Sequence, residues 1–388
     1  MSDILHLRLP GKYAIIKKKN NDYEVSHLIS IGLMTFLHND NYGSILQAYA
    51  LQQTLHNLGF NAEHIDYCPS KAEKFRNLLA SGNSPRLILD GMRKRSAAQG
   101  LTCGFDEFRQ TQLRLSPRCA DHRALTAQAA NYDVLMCGSD QIWSPTWLNP
   151  AYFLDFTDKP KIAYAPSLGV SAIDSASKRH KIAALTKSFF AMSVREEEGA
   201  LLLHEITGQK PPVMPDPVLL LARQAWLTLA GEPSKRHEAI GFFLGDRSDY
   251  MDQVRQQSKQ TGLPVRLIPR TASALQADYP QERNVTPVKW LNLLAGAELV
   301  VTDSFHAAAF SLLLHTPCLI LRRDRDGDPL SRNSRVDQLC RSLCVDDPLH
   351  PDFDMVDAQI AIRREAGLAY LRDAVNRAAA SVHQAKAK

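Results

Sequence analysis

Residues 299–314, LVVTDSFHAAAFSLLL, predict a strand, a turn and a helix, and this unit decides the fold class. The apolar run 299–301 is typical of a buried strand, and the alanine- and leucine-rich run 307–314 is typical of a helix packed on its sheet. The polar residues 302–304 lie between them and can cap the helix through a side-chain oxygen. His306 then falls in the first helical turn, beside backbone N–H groups that have no intrahelical acceptor.

The start of this helix is suited to binding an anion. A helix N-terminus carries partial positive charge, which favours phosphate or carboxylate. In an open α/β sheet, the position beyond the carboxyl end of a strand is also where ligands bind. The local sequence leaves one alternative open, a strand–turn–helix unit in which His306 is only solvated.

The composition indicates a globular protein with two domains of ordinary size. The chain has 388 residues, of which 45% are hydrophobic and 22% are charged. Its formal net charge of +5 suits an anionic small ligand or a membrane surface, and no motif typical of nucleic-acid binding appears. Seven scattered cysteines without a C-x-x-C pair predict a reducing, cytoplasmic setting. The sequence shows no signal-peptide core and no apolar run of membrane-spanning length.

Predicted strands and helices alternate along the chain, which indicates an α/β fold with parallel sheets flanked by helices. We predict two Rossmann-like domains facing a cleft. The predicted segments are an N-terminal extension over 1–28, a first domain over 29–225, a second domain over 236–356 and a C-terminal helix over 357–388. A helical insertion is predicted over about 69–130, with helices at 71–79, 86–94 and 105–112. Further strands of the first domain are predicted at 132–137, 152–156, 161–165 and 189–194.

Four polar stretches follow predicted strands or open predicted helices. They are HNDNYGS at 38–44, GSDQIW at 138–143, SVRE at 193–196 followed by Asp216-Pro217, and TDSFH at 302–306. In their residues, order and spacing, they resemble the motifs of the polysaccharide pyruvyl transferase family. The resemblance extends from about residue 29 to about residue 345, which is most of the chain.

This resemblance implies a GT-B-like pair of Rossmann-type domains with an active site between them. It also implies a transferase that takes a pyruvyl group from phosphoenolpyruvate. The group would be set as a ketal on sugar hydroxyls of a surface polysaccharide or its lipid-linked precursor. Ketal formation needs protonation of the donor's methylene carbon, attack by hydroxyls at the adjacent carbon, and loss of phosphate.

Three residues are the leading candidates for this chemistry. His306 would contact phosphate or act as the acid, because an imidazole titrates near neutral pH. Asp40 would act as the base. Arg195 would hold the donor's carboxylate or phosphate through two parallel hydrogen bonds. An ion pair with Glu196 or Asp216 is the alternative for Arg195, and it stays open.

The last motif departs from one family pattern. Some members carry an arginine just before Leu-His, whereas Ser304 stands there in this chain and Phe305 follows it. Arg335 or Arg332 could supply the missing cation from the charged loop that comes later in the sequence. Whether this change alters the donor is left open, because other members share the Ser-Phe-His form.

The remaining predicted substrate contacts lie in the first two motifs, where short polar side chains and glycines open helices or turns. They are Asn41, Gly43, Ser44, Gly138, Ser139, Asp140 and Trp143. Asx-rich turns are also common at strand–helix junctions, and a tryptophan such as Trp143 can pack rather than stack on a sugar. Both alternatives stay open.

We predict no cofactor and no required metal, since the alternating charges at 323–326 are typical of a solvated loop. The expected partners are phosphoenolpyruvate and a saccharide acceptor, either free or lipid-linked. Contact with the inner face of the membrane is one interpretation of the basic segments at 17–19 and 71–95, and ordinary solvation is the other. The competing functions are a GT-B glycosyltransferase that uses a nucleotide sugar and a non-catalytic glycan-binding paralogue.

Overall fold

The computed structural model describes the backbone of residues 4–9, 12–19, 22–80, 102–324 and 333–386, and the side chains of 28–77, 102–324 and 333–382. The helix predicted at 86–94 and the candidate Arg332 lie outside these residues. The strands are β1 (Ile4–Leu9), β2 (Lys12–Lys19), β3 (Asp22–His27), β4 (Ser30–Met34), β5 (Asn61–His64), β6 (Val134–Cys137), β7 (Lys161–Ala163), β8 (Ala191–Met192), β9 (Ala239–Phe242), β10 (Val265–Ile268), β11 (Leu299–Thr302) and β12 (Cys318–Ile320).

The helices lie between these strands and after the last one. Their bounds are Tyr42–Asn57, Lys71–Ala80, Phe105–Gln112, His122–Ala129, Ala176–Thr186, Glu197–Thr207, Arg223–Leu229, Tyr250–Thr261, Ala272–Gln276, Pro287–Gly296, Phe305–Leu313, Asn333–Ser342 and Phe353–Lys386. Two 3-10 helices lie at Pro150–Phe153 and Pro217–Leu219.

Strand pairing builds two parallel sheets. The first sheet has the order β5–β4–β6–β7–β8, and all of its neighbouring strands are parallel. The second sheet has the order β10–β9–β11–β12, and it is also parallel. Strands β6, β9 and β11 are buried along their whole length, as expected for sheets that helices cover on both faces. The predicted α/β class is therefore confirmed.

The first strands form a separate sheet. Strands β1, β2 and β3 pair antiparallel in the order β1–β2–β3, with Leu9 opposite Lys12 and Lys19 opposite Asp22. The N-terminal segment therefore contributes no strand to either parallel sheet.

The predicted strand at 152–156 is wrong, because its first two residues belong to a 3-10 helix and the rest form a turn outside the first sheet. Asn149 caps this helix by accepting a hydrogen bond from the Ala151 N–H at 3.0 Å. Pro150 occupies the first helical position, where its fixed φ is favourable and its missing N–H costs nothing. Phe153 is buried against Trp143, with the two rings stacked 4.9 Å apart.

The two parallel sheets share one apolar core. Tyr42, at the start of the helix that follows β4, stacks on Trp290 from the second sheet's helices at 5.2 Å. Its hydroxyl donates to the Val285 carbonyl at 2.9 Å. The C-terminal helix continues this packing, since Val356 lies in the shared core and Leu371 packs with residues of the first sheet. Burying each such side chain contributes about 1.5–3 kcal/mol.

None of the helices in the described ranges combines the length and apolar character needed to cross a membrane. All seven cysteines are free.

A candidate anion-binding active site between the two sheets

The helix that follows β11 places His306 at the edge of the second sheet. Thr302 ends the strand, and its hydroxyl donates to the Phe242 carbonyl at 2.6 Å and accepts from the Ser304 N–H at 3.1 Å. Ser304 has extended backbone and caps the helix by accepting from the Ala307 N–H at 3.4 Å. His306 is therefore the second residue of the helix Phe305–Leu313, in the turn whose N–H groups have no helical acceptor. The predicted strand, turn and helix are therefore observed, with His306 in the first helical turn.

The helix that follows β4 faces His306 from the first sheet. Asn41 caps this helix by accepting from the N–H groups of Gly43 at 2.9 Å and Ser44 at 3.3 Å. A Cβ atom on Gly43 would lie 2.1 Å from Nδ1 of His306. Only glycine therefore allows the two helix starts to approach this closely.

Arg195 follows β8, and two carboxylates from its own part of the chain hold its guanidinium. Its Nε donates to Glu196 at 2.7 Å, and its Nη1 donates to Asp216 at 2.8 Å. Its Nη2 is buried and has no hydrogen-bond partner among the described residues. The guanidinium also lies 4.3 Å from the centre of the Phe305 ring, within the range of a cation–π contact. The ion-pair alternative is thus observed, yet one donor of Arg195 is left unused.

Asp216 connects Arg195 to His306. Its Oδ1 accepts from the Val218 N–H at 3.1 Å, and its Oδ2 accepts from Arg195 and lies 3.4 Å from Nε2 of His306. Burial alone would raise the pKa of Asp216, but His306 and Arg195 outweigh it and hold the pKa well below its ordinary value. Nε2 of His306 is buried, and no described group bonds it with good hydrogen-bond geometry.

Arg335 adds a second buried cation to this group of residues. It lies on the helix Asn333–Ser342, is 9% exposed, and its Nε has no partner among the described residues. Burial and the like charge of Arg195 both lower the pKa of Arg335. Its charged form is therefore less favourable than that of an exposed arginine, and a nearby anion would stabilise it. We call Arg195, Asp216, His306 and Arg335 the arginine–histidine cluster.

The cluster has the character of an unfilled anion site. Arg195, His306 and Arg335 each carry a buried nitrogen without a partner in the described structure. An unsatisfied buried donor costs about 1–3 kcal/mol, and more when it is charged, so native proteins rarely leave several together. An anion placed among these nitrogens would satisfy them and would also meet the positive end of the helix that begins at Phe305.

A second polar group lies on the first sheet's side. The Ser44 hydroxyl donates to Asp140 and accepts from Asn39 Nδ2 at 2.9 Å. Asp140 also accepts from the Gln141 N–H at 2.7 Å and has a φ of 67°, a conformation that costs free energy for a residue with a side chain. This carboxylate is close enough to the cluster to favour the charged form of Arg195.

Comparison with known protein families identifies the family of this chain. The family model for polysaccharide pyruvyl transferase matches residues 41–325, a range that contains Arg195, Asp216 and His306 of the cluster but not Arg335. The chain belongs to the polysaccharide pyruvyl transferase family. No curated protein matches the chain.

Several solved structures are similar in fold to this family member. UDP-GlcNAc 2-epimerase from Methanocaldococcus jannaschii shares 12% identity, covering 86% of this chain and 91% of the other, with a TM-score of 0.47. The enzyme of the same name from Rickettsia bellii shares 7% identity, with coverages of 90% and 97% and a TM-score of 0.49. ADP-heptose lps heptosyltransferase II from E. coli shares 12% identity, with coverages of 86% and 99% and a TM-score of 0.37. Similarity this weak says nothing about function.

Within the pyruvyl transferase motifs, the structure brings four predicted site residues together. His306, Arg195 and Arg335 lie in the cluster, and Gly43 lies against His306. The Ser304 side chain caps the helix that begins at Phe305. The binding roles assigned to these residues stay predictions.

Asp40 lies apart from the cluster. Its carboxylate is exposed and is 3.4 Å from Nη1 of Arg109, while its carbonyl accepts from Arg270 at 3.3 Å. No hydrogen bond of the described residues joins the Asp40 side chain to His306. The carboxylate nearer to the cluster is that of Asp140.

The predicted sugar contacts of Ser139 and Trp143 are wrong in this structure, because both side chains are completely buried. The Ser139 hydroxyl donates to the Ala165 carbonyl at 2.5 Å, and its N–H donates to Gln47 at 2.9 Å. Trp143 stacks on Phe153, and its indole N–H donates to the Tyr152 carbonyl at 3.1 Å. Gly138 is buried behind them, and a Cβ there would lie 1.9 Å from the Tyr164 carbonyl oxygen.

The role of Asp216 was missed from the sequence, although it stands in the third motif stretch. A carboxylate just before a proline reads as a turn residue, and nothing local shows that it will face a histidine 90 positions later. Among the described residues, no group of three or more His, Cys, Asp or Glu side chains could hold a metal ion.

Proposed function

We propose that this protein transfers a pyruvyl group from phosphoenolpyruvate to saccharide hydroxyls as a ketal. The observation that carries the proposal is the unfilled anion site: buried nitrogens of Arg195 and Arg335 without partners among the described residues, beside His306 and the start of a capped helix. Phosphoenolpyruvate carries two anionic groups on a small frame, which suits a site with two buried guanidinium groups. Membership of the family supports this donor and a saccharide acceptor.

The proposed reaction has two stages. In the first, the acid gives a proton to the methylene carbon while a sugar hydroxyl oxygen bonds to the adjacent carbon and loses its proton to the base. In the second, another hydroxyl of the sugar displaces phosphate, and its proton leaves with the phosphate or passes to the base. His306 is the acid in this scheme, and buried guanidinium groups stabilise the charge on the phosphate as it departs.

The acceptor would approach from the first sheet. Asp140 is a carboxylate close to the cluster there, and its network with Ser44 and Asn39 holds it in place. The exposed Asp40 and the cap residue Asn41 would contact sugar hydroxyls farther out. We propose a saccharide of a surface polysaccharide or its precursor as the acceptor. The free cysteines support action in a reducing compartment, which we take to be the cytoplasm.

Calorimetric titration of the purified protein with phosphoenolpyruvate tests the donor. We expect binding to the wild type and binding at least roughly tenfold weaker to Arg195→Lys, Arg335→Met and His306→Gln, because a hydrogen bond to a charged group contributes about 1.5–3 kcal/mol. Arg377→Met is the matched control, since it removes an exposed arginine that pairs with Asp373 on the C-terminal helix. Its affinity should equal that of the wild type.

Other outcomes of this titration would overturn the proposal. Binding of a UDP- or GDP-sugar without binding of phosphoenolpyruvate would indicate a glycosyltransferase. Binding of neither, together with full cellular function of the His306→Gln variant, would indicate a non-catalytic paralogue.

A further inference from the structure

The buried carboxylate of Asp216 has a further role that neither the family match nor the motif pattern assigns. It is the one described group with an acceptor oxygen facing Nε2 of His306, at 3.4 Å. That nitrogen is buried and has no other partner among the described residues, so the Asp216 carboxylate, 3.4 Å away, is the group placed to pair with it. Hydrogen bonds of this kind are often long in a structure without substrate and shorten when it binds.

We propose that Asp216 is a positioning residue that holds the Nε2–H of His306 and thereby makes Nδ1 the reacting nitrogen. The two ring nitrogens of a histidine differ in role because the partner of one decides the state of the other. The role of Asp216 as an aid to the acid rests on the proposed function, whereas its hold on the ring does not.

Asp216 is itself held by hydrogen bonds to both of its oxygens, which a positioning residue requires. The Val218 N–H fixes Oδ1 at 3.1 Å, and Arg195 fixes Oδ2 at 2.8 Å. The Ser139 hydroxyl, which belongs to the motif at 138–143, lies 3.5 Å from Oδ2. Pro217 then opens a short 3-10 helix whose buried residues belong to the core, so the backbone at Asp216 is fixed as well. The carboxylate therefore has no freedom to turn away from the imidazole.

The other side of the ring supports the same assignment. Nδ1 points toward Gly43, where a Cβ would lie only 2.1 Å away. Because Gly43 has no side chain, the imidazole packs directly on the start of the first sheet's helix. Asp216 and Gly43 thus lie on opposite sides of the ring, and together they fix its orientation.

The proton transfer balances with this arrangement. The protonated ring carries N–H bonds on both nitrogens. The Nδ1–H bond breaks as a C–H bond forms at the donor's methylene carbon, while the hydroxyl oxygen bonds to the adjacent carbon. The ring is left neutral with its proton on Nε2, still directed at Asp216. No oxidant or further reactant is required.

Nuclear magnetic resonance of the full-length protein with ¹⁵N-labelled histidine tests the hold on the ring. The His306 signals are assigned by their loss in His306→Gln. We expect a ring proton on Nε2, shifted downfield and slow to exchange with water. In Asp216→Asn this signal should move upfield or disappear. In Glu196→Gln it should remain, because Glu196 also pairs with Arg195 but does not contact His306.

Three outcomes would overturn the inference: a proton on Nδ1 rather than Nε2, no protected ring proton in the wild type, or an unchanged signal in Asp216→Asn. If Asp216→Asn does not fold, the wild-type spectrum tests the inference by itself. A proton on Nε2 supports the inference, and a proton on Nδ1 overturns it. The measurement uses no phosphoenolpyruvate. An intact Asp216-dependent signal in a protein that fails to bind phosphoenolpyruvate would therefore reject the proposed donor and keep the inference.

Discussion

Two buried arginine–aspartate pairs lie close together in this molecule, and they differ in how completely their hydrogen bonds are used. Asp303 accepts from the N–H groups of Leu244 and Gly245, both at 2.7 Å, and from the Tyr250 hydroxyl at 3.0 Å. Arg323 binds the same carboxylate through Nε at 3.0 Å and the Asp303 carbonyl through Nη2 at 3.1 Å.

The pair of Arg195 and Asp216 is chemically the same but is not saturated. Nη2 of Arg195 and Nε2 of the adjacent His306 have no partner among the described residues. A buried ion pair whose buried donors all have partners stabilises the fold but has no buried donor left for a ligand. An unsaturated pair keeps donors in reserve for a ligand, at a cost in stability. Several unused donors in one place, rather than charge or burial, therefore distinguish the surroundings of Arg195 and Asp216 from those of Arg323 and Asp303.

The largest effects should come from removing each arginine. Arg195→Met leaves Glu196 and Asp216 buried without their cation, so we expect a loss of about 3–5 kcal/mol in the free energy of unfolding. Arg323→Met should cost less, about 1–3 kcal/mol, because Asp303 keeps three other donors. Urea unfolding measures both values. If Arg195→Met does not fold, Arg195→Lys takes its place. Lysine keeps the positive charge but lacks the planar guanidinium that bonds both carboxylates.

The same variants separate structure from binding. Phosphoenolpyruvate affinity should be lost in the Arg195 variant and kept within a few-fold in Arg323→Met. Equal losses of affinity in the two would show that saturation does not distinguish these pairs.

Two glycines give a smaller test of the same contrast. Gly43 abuts His306, and Gly245 abuts the saturated pair, where a Cβ would lie 2.8 Å from Asp303 Oδ2. Overpacking a tight site costs about 1–3 kcal/mol, so both Gly43→Ala and Gly245→Ala should lower the thermal midpoint. Only Gly43→Ala should also weaken phosphoenolpyruvate binding. Unchanged affinity in that variant would place the donor away from Nδ1 of His306.

The smallest expected effect is in the acid dependence of stability, where the two pairs should behave alike. Arg323 and backbone N–H groups lower the pKa of Asp303 despite its burial, as His306 and Arg195 do for Asp216. A carboxylate with a lowered folded-state pKa stabilises the protein above its ordinary value of 3.8, and this stabilisation is lost as the pH falls toward the folded-state value.

Urea unfolding at a series of pH values below about 4 measures this loss. Asp216→Asn and Asp303→Asn should each make the decline of stability with acidification less steep than in the wild type. A slope that neither variant changes would mean that other carboxylates dominate the acid dependence.

Local signals in the sequence account for much of the fold. The helix predicted at 250–261 is the observed helix Tyr250–Thr261, and Gly262 ends it with a positive φ of 71°. The helix at 105–112 is likewise observed as Phe105–Gln112. In both, the periodic pattern and the terminating residue lie within the segment itself. The error at 152–156 arose because a short run rich in aromatic residues also suits a 3-10 turn packed on Trp143.

The site depended on contacts between distant segments, so the sequence gives only some of it. The position of His306 in a first helical turn follows from its neighbours, and the structure has it there. The contact of Asp216 with His306 and the burial of Trp143 are set by how whole elements pack. No periodicity within one segment encodes these distances.

The core shared through Tyr42 and Trp290 has a consequence for cooperativity. Helices that cover the two sheets bury apolar side chains against one another, and the C-terminal helix from Phe353 to Lys386 packs with residues of both halves. Neither half can therefore melt while the other keeps its full stability. A chain whose sequence indicates two Rossmann-like units should therefore unfold as one cooperative unit, and His306 keeps its contacts with Gly43 and Asp216 only while both halves are native.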